Sequence, residues 1–198
     1  MTVWRRLRRR DLGRVSLGLL GATLVGCARP WRVLRQAPSN PLVGLAVLAV
    51  RPLRFDAMRV GGETESVYVA GLDDEEKKTW VQDKEAMDDR FVEALREEAA
   101  EAGLKVVPES ETSRYVVRGH VRFIEPGFYA YVAAQPSETR IVVTVTTAEG
   151  EVVDEIEVVH QTNATITNAA VSNRVRKDAE MIGKAVGKYL RGRVVPDD

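Results

Sequence analysis

The sequence predicts an α/β (α+β) two-layer sandwich, a mixed sheet of about five strands with two helices packed on it. Two stretches, 73–102 and 171–190, space their apolar residues at close to helical period. Runs at 115–125, 138–147 and 151–160 are rich in β-branched residues and largely alternate with period two. An apolar run at 42–50 reads as a strand buried on both faces. Strand, crossover helix, meander and closing helix fit a sheet covered by helices.

The first 26 residues do not count toward that fold. Arg5, Arg6, Arg8, Arg9, Arg10 and Arg14 accompany a short apolar stretch at 15–25. That stretch is about half the ~20 residues a helix needs to cross a bilayer. A charged start and a short apolar run make the n- and h-regions of a cleavable signal peptide, residues 1–26. The run closes on Leu24-Val25-Gly26-Cys27, which resembles the lipobox of bacterial lipoproteins. The resemblance implies that the Cys27 thiol is alkylated by a diacylglyceryl group. A signal peptidase then cuts before the modified residue, and the freed amine is acylated, for instance with palmitate. Gly26 meets the need for a small residue at the cut, and Leu24 the need for an apolar one. Two or three chains anchor stably where one binds only marginally. Ala28 rather than Asp follows Cys27. By resemblance to enterobacterial sorting, this implies the inner leaflet of the outer membrane, facing the periplasm.

The formal charge of +0 hides an asymmetry. With the six arginines and Asp11 removed, 23 Lys and Arg face 28 Asp and Glu. A mildly acidic domain has no electrostatic reason to bind nucleic acid. The single cysteine excludes an internal disulfide, and the lipid consumes its thiol.

Residues 27–41 read as the lipidated Cys27 and a short irregular tether, because three prolines interrupt them and no period shows. Trp31, with Arg32 and Arg35, suits either the lipid interface or packing on the domain. A single domain is expected over 42–192, with a frayed tail at 193–198. Within it, the strand at 42–50 lies between Pro41 and Pro52. Gly61-Gly62 marks a turn, and 66–70 suits a short strand. Asp73, Asp74, Glu75 and Glu76 open a helix where its dipole favours acids. Trp80, Met87, Phe91, Ala94, Leu95 and Ala102 form its apolar side, and Gly103 is the C-cap candidate. A short strand, 104–107, ends at Pro108. In the next strand Tyr115, Val117, Gly119, Val121 and Phe123 share one face, while Val116, Arg118, His120, Arg122 and Ile124 share the other. Strands at 138–147 and 151–160 flank the tight turn Glu149-Gly150. A polar connection, 161–168, leads to the last helix, for which Ser172 is the candidate N-cap.

The helix end "EEAAEAGLKVV", the strand "RYVVRGHVRFIEPG", the "TVTTAEGEVVDE" hairpin and a final amphipathic helix follow the lipobox in order. This layout resembles small lipoprotein domains related to the periplasmic part of the curli secretion lipoprotein. The amino-terminal domain of TolB and the outer-membrane activators of penicillin-binding proteins share it. The resemblance spans about 42–192 and implies the fold and the compartment. It carries over no catalytic residue. The chain departs from the curli lipoprotein in having no room for a pore-forming hairpin, and from the synthase activators in its short linker.

No catalytic residue, metal ligand or cofactor is expected. His120 alternates with Arg118 and Arg122, which disfavour both a proton and a metal. His160 ends a strand. No Gly-x-Ser-x-Gly elbow or phosphate loop occurs. Phe128, Tyr129 and Tyr131, between Gly127 and Pro136, are candidate partner contacts if they lie on a loop. Alternatively they extend the flanking strands and pack on the core. The leading expectation is a non-enzymatic binding or assembly module of the cell envelope. Its expected partners are the membrane, through the lipid, and another envelope protein or cell-wall component. The alternatives are an enzyme or ligand-binding site around Arg118, His120, Arg122 and Glu125, and a subunit of an export complex.

Overall fold

The computed structural model describes residues 30–109, 113–130 and 132–196. The expectations for the signal peptide, for Leu24, Val25, Gly26 and Cys27, and for Tyr131 lie outside these residues.

One mixed sheet carries the fold. Its strands run in the order β1 (Trp31–Gln36), β10 (Val152–Thr162), β9 (Ser137–Thr147), β6 (Tyr115–Glu125), β2 (Val47–Val50) and β5 (Lys105–Pro108). Two short strands, β3 (Arg59–Val60) and β4 (Glu63–Thr64), attach beside the end of β6. Strands β1, β10, β9 and β6 are antiparallel neighbours, and β2 is parallel to both β5 and β6. A separate hairpin pairs β7 (Phe128–Ala130) with β8 (Ala133–Gln135). The helices are α1 (Glu65–Ala70), α2 (Asp74–Ala100) and α3 (Val171–Val194).

The long helices α2 and α3 pack on each other and on one face of the sheet. Met87, Phe91 and Leu95 of α2 meet Val175, Ile182, Val186 and Leu190 of α3 above Val117, Val121, Ile141, Val143, Ile156 and Val158. The helices cross closely. A Cβ on Gly183 would lie 2.4 Å from the Phe91 carbonyl oxygen, so only glycine fits there. The acids expected at the start of α2 also cap it. Asp73 accepts from the Glu75 and Glu76 amides, and the Glu76 carboxylate accepts from the Asp73 amide, a complete capping box.

Several local expectations are corrected. Residues 41–44 form a turn, with Gly44 at φ 71°, so the first parallel strand shrinks to Val47–Val50. Residues 66–70 belong to helix α1, since five residues are too few to separate the two periods. Trp31–Gln36 is not irregular tether but the edge strand β1. The tail is shorter than expected, because Arg193 and Val194 finish α3; Val194 is buried and Arg193 pairs with Asp154. Ser172 is not the N-cap of α3. That cap is Ala170, with no side-chain bond, and Ser172 Oγ donates to Asp83 Oδ2 at 2.8 Å instead.

A bulge in β6 also shifts its faces. The register with β9 slips between Val121 and Phe123, leaving Arg122 as the extra residue. Beyond it Ile124 turns into the core, and Phe123 joins the open face under the Arg140 guanidinium.

Candidate functional site

The most chemically distinctive region is the loop end of the sheet. There β6 stops at Glu125, opposite Glu138 of β9, and β10 stops at Thr162, opposite Ser137. Two connections leave this end. Residues 126–136 fold up as the β7–β8 hairpin, and 163–170 lead into α3. The hairpin closes on itself at Gly127, which sits at φ 62° with the Gln135 and Pro136 carbonyl oxygens 2.4 Å from where a Cβ would be.

Both connections are fastened by one buried cation. Arg174, on the first turn of α3, is fully buried. Its Nη1 donates to the carbonyls of Asn168 (3.1 Å) and Ala169, and its Nη2 to that of Pro126 (3.0 Å). Its Nε is buried without a partner among the described residues. One turn further, Asp178 is also fully buried. It accepts from Ser137 Oγ at 2.7 Å and Thr162 Oγ1 at 2.6 Å, and from His160 Nδ1 at 2.8 Å. Its charge offsets that of Arg174. The ends of β9, β10 and both connections are thus tied to the first two turns of α3.

A serine, a histidine and a carboxylate meet here, but their wiring differs from a nucleophilic triad. Ser137 and His160 each bond the carboxylate, with Asp178 between them, so the imidazole does not face the hydroxyl. The arrangement fixes strand ends rather than activating an oxygen.

Outside this base the connections present apolar side chains. Phe128 is 48% exposed, Val132 92% and Ile166 76%; the last two are the most exposed large apolar residues among those described. Phe128 and Tyr129 therefore lie neither in an irregular loop nor in the core. They form a short hairpin standing off the main sheet.

The residues of the alternative site meet only in part. His120 Nε2 donates to the Asp56 carbonyl at 2.7 Å, and Arg122 Nη1 donates to His120 Nδ1 at 3.2 Å. Glu125 turns away to accept from the Gly127 amide at 3.1 Å, at the base of the hairpin. Arg118 joins neither pair and lies, half-buried, further back on the open face of the sheet.

A concavity of ≈ 750 Å³ opens between β1 and the end of α3, lined by Trp31, Gln36, Tyr189, Arg191 and Arg193. Trp31 packs edge-on to Tyr189, with ring centroids 5.8 Å apart, so its side chain belongs to the domain. Tyr189 donates to Asp154 Oδ2 at 2.8 Å and accepts from Gln36. Burial, then the Asp154 carboxylate, push its phenol far above the ordinary tyrosine range.

Sequence reasoning missed Arg174, Asp178 and Ile166, and it singled out the segment 128–132 for its aromatics rather than for Val132. A buried arginine on an amphipathic helix carries no local mark. Another signal was present: in a chain that is 29% charged, residues 126–137 and 161–173 contain no charged side chain.

No family model matches the sequence, and no curated protein does. Among solved structures the chain is similar to the PelC dodecamer of Paraburkholderia phytofirmans, at 12% identity over 79% of this chain and 97% of that one, with a TM-score of 0.44. It is similar to the hypothetical protein CT253 of Chlamydia trachomatis, at 7% identity over 77% and 99%, with a TM-score of 0.46. A "putative lipoprotein" of Caulobacter crescentus matches over 50% of this chain and 82% of that one, at 19% identity and a TM-score of 0.23.

Proposed function

We propose that the chain is a lipid-anchored lipoprotein of the bacterial cell envelope, acting as a non-enzymatic binding or assembly module. One observation carries the reading: a cationic start and short apolar run ending in Leu24-Val25-Gly26-Cys27, immediately ahead of the strand that opens the fold. The sequence places the only cysteine of the chain at the position where lipobox chemistry needs one. Among the described residues no helix is long and apolar enough to cross a membrane, so lipid on Cys27 supplies an attachment that these helices do not. Ala28 supports sorting to the outer membrane, with the domain facing the periplasm.

Intact mass of the native product tests the anchor. The expected result is a chain that begins at Cys27 and carries diacylglyceryl and acyl mass, recovered with membranes. An unmodified chain beginning at Met1 in the soluble fraction would overturn it. Crosslinking in intact cells followed by pull-down tests the module. Recovery of an envelope protein or of peptidoglycan above background is expected, and recovery of neither would sink the binding role.

A further inference from the structure

An anchored domain must face its bilayer in some orientation, and here the leash is short. Cys27 lies four residues before Trp31, a covalent reach of at most about 14 Å. Trp31 pairs with Val158, and β1 runs antiparallel to β10. The chain therefore enters β1 from the side of Thr162. From Val158 to Thr162 is about 13 Å of strand. The leash is about as long as the distance from Trp31 to the loop end of the sheet.

That end has the composition a lipid interface requires. Charge in the acyl region is strongly disfavoured, and residues 126–137 and 161–173 carry none. Their tips expose Phe128, Val132 and Ile166. Val and Ile at a loop tip gain nothing from water and gain from entering hydrocarbon. Tyr129, half-buried at the hairpin, is the amphipathic type that settles at headgroup level. Arg174 holds the backbone of both connections by their carbonyls, so the two tips stand on one rigid base.

We propose that the loop end of the sheet is a membrane-docking surface, in which Phe128, Val132 and Ile166 enter the headgroup–acyl boundary of the leaflet that holds the Cys27 lipid. The opposite end, around Val43 and Val195, then points away from the bilayer. This orientation rests on the lipid-anchor reading.

The lipidated mature protein offers a clean test, because lipidation consumes its only cysteine. Single cysteines are introduced as Val132→Cys, Ile166→Cys and Val43→Cys and labelled with a polarity-sensitive fluorophore. All three sites are exposed, and Val43 adjoins Gly44, whose amide bonds the Val194 carbonyl at the far end of α3. The proteins are reconstituted on vesicles of phosphatidylethanolamine and phosphatidylglycerol, with and without a lipid bearing a nitroxide high on its acyl chain. The expected result is a blue shift and nitroxide quenching at 132 and 166, with neither at 43. Protein that floats with the vesicles yet shows unquenched emission at 132 and 166 overturns the docking surface and leaves the anchor standing. A concentration-dependent blue shift at those sites in lipid-free detergent assigns the surface to a second copy and also overturns docking. Protein without acyl mass on Cys27 that fails to float overturns the anchor and the orientation together.

Discussion

At Asp178 one buried carboxylate collects donors from β9, from β10 and from the residue that ends β10. Removing it leaves Thr162 and His160 without their acceptor, Ser137 with only the Thr162 carbonyl at 3.4 Å, and Arg174 without its neighbouring negative charge. Each orphaned group costs on the order of 1–3 kcal/mol, though relaxation recovers part of this. Asp178→Ala is expected to lose about 3 kcal/mol in urea unfolding, with Asp178→Asn intermediate because its amide oxygen still accepts. A second carboxylate acts in the opposite sense. Burial raises the Asp88 carboxyl above its ordinary range, more than the 2.7 Å hydrogen bond from the Leu53 amide lowers it. A carboxyl raised on folding favours the fold below its unfolded pKa, and this contribution is lost as pH rises through the folded value. Asp88→Asn keeps an acceptor for Leu53 and removes the charge. It is expected to unfold at higher urea than the parent at neutral pH, with the gain vanishing near pH ~3, where carboxylates protonate. A gain that persists at low pH would refute the assignment.

At the scale of elements, the α2–α3 crossing is set by glycine. Alanine in a helix interior is ordinarily favoured over glycine by about 1 kcal/mol. At Gly183 a methyl group would press on the Phe91 carbonyl, and helix separation outweighs propensity. Gly183→Ala is therefore expected to destabilise by about 1–3 kcal/mol, measured as a lowered Tm, whereas Gly192→Ala, with open space at its Cβ, should not. Long periodic elements such as α2, α3, β6, β9 and β10 are legible in the sequence because ten or more residues repeat one spacing. What escapes are events that break a period or depend on distant residues. The Arg122 bulge inverts the faces of β6 without altering composition. Ser172 looks like a cap by position, but its hydroxyl donates to Asp83 on the other long helix. The hexad Trp31–Gln36 sits among prolines, and only its pairing with β10 makes it a strand.

For the whole molecule, the proposed docking surface depends on the short distance along the chain from Cys27 to the edge strand β1. If the short leash holds the loop end to the bilayer, lengthening it weakens that hold. Inserting about ten Gly and Ser residues between Ala28 and Arg29 adds some 15–20 Å of r.m.s. reach. Flotation with vesicles should persist, and nitroxide quenching at position 132 should fall. Unchanged quenching would show that the tips dock without help from the tether. The aromatic half of this surface is readable in the sequence as Phe128-Tyr129. The other half, around Ile166, reads as an ordinary polar connection, because only the fold places 161–173 beside 126–137 through Arg174. The border strand has one more effect. The ladder of β10 is completed on its outer side by Trp31–Gln36, whose Arg32 and Arg35 discourage addition of a further chain. A version trimmed to begin at residue 42, where the apolar pattern invites a cut, would bare the backbone of 154–158. Such a protein would offer its neighbours a ready template for intermolecular β-pairing, so the first strand also guards the sheet edge against self-association.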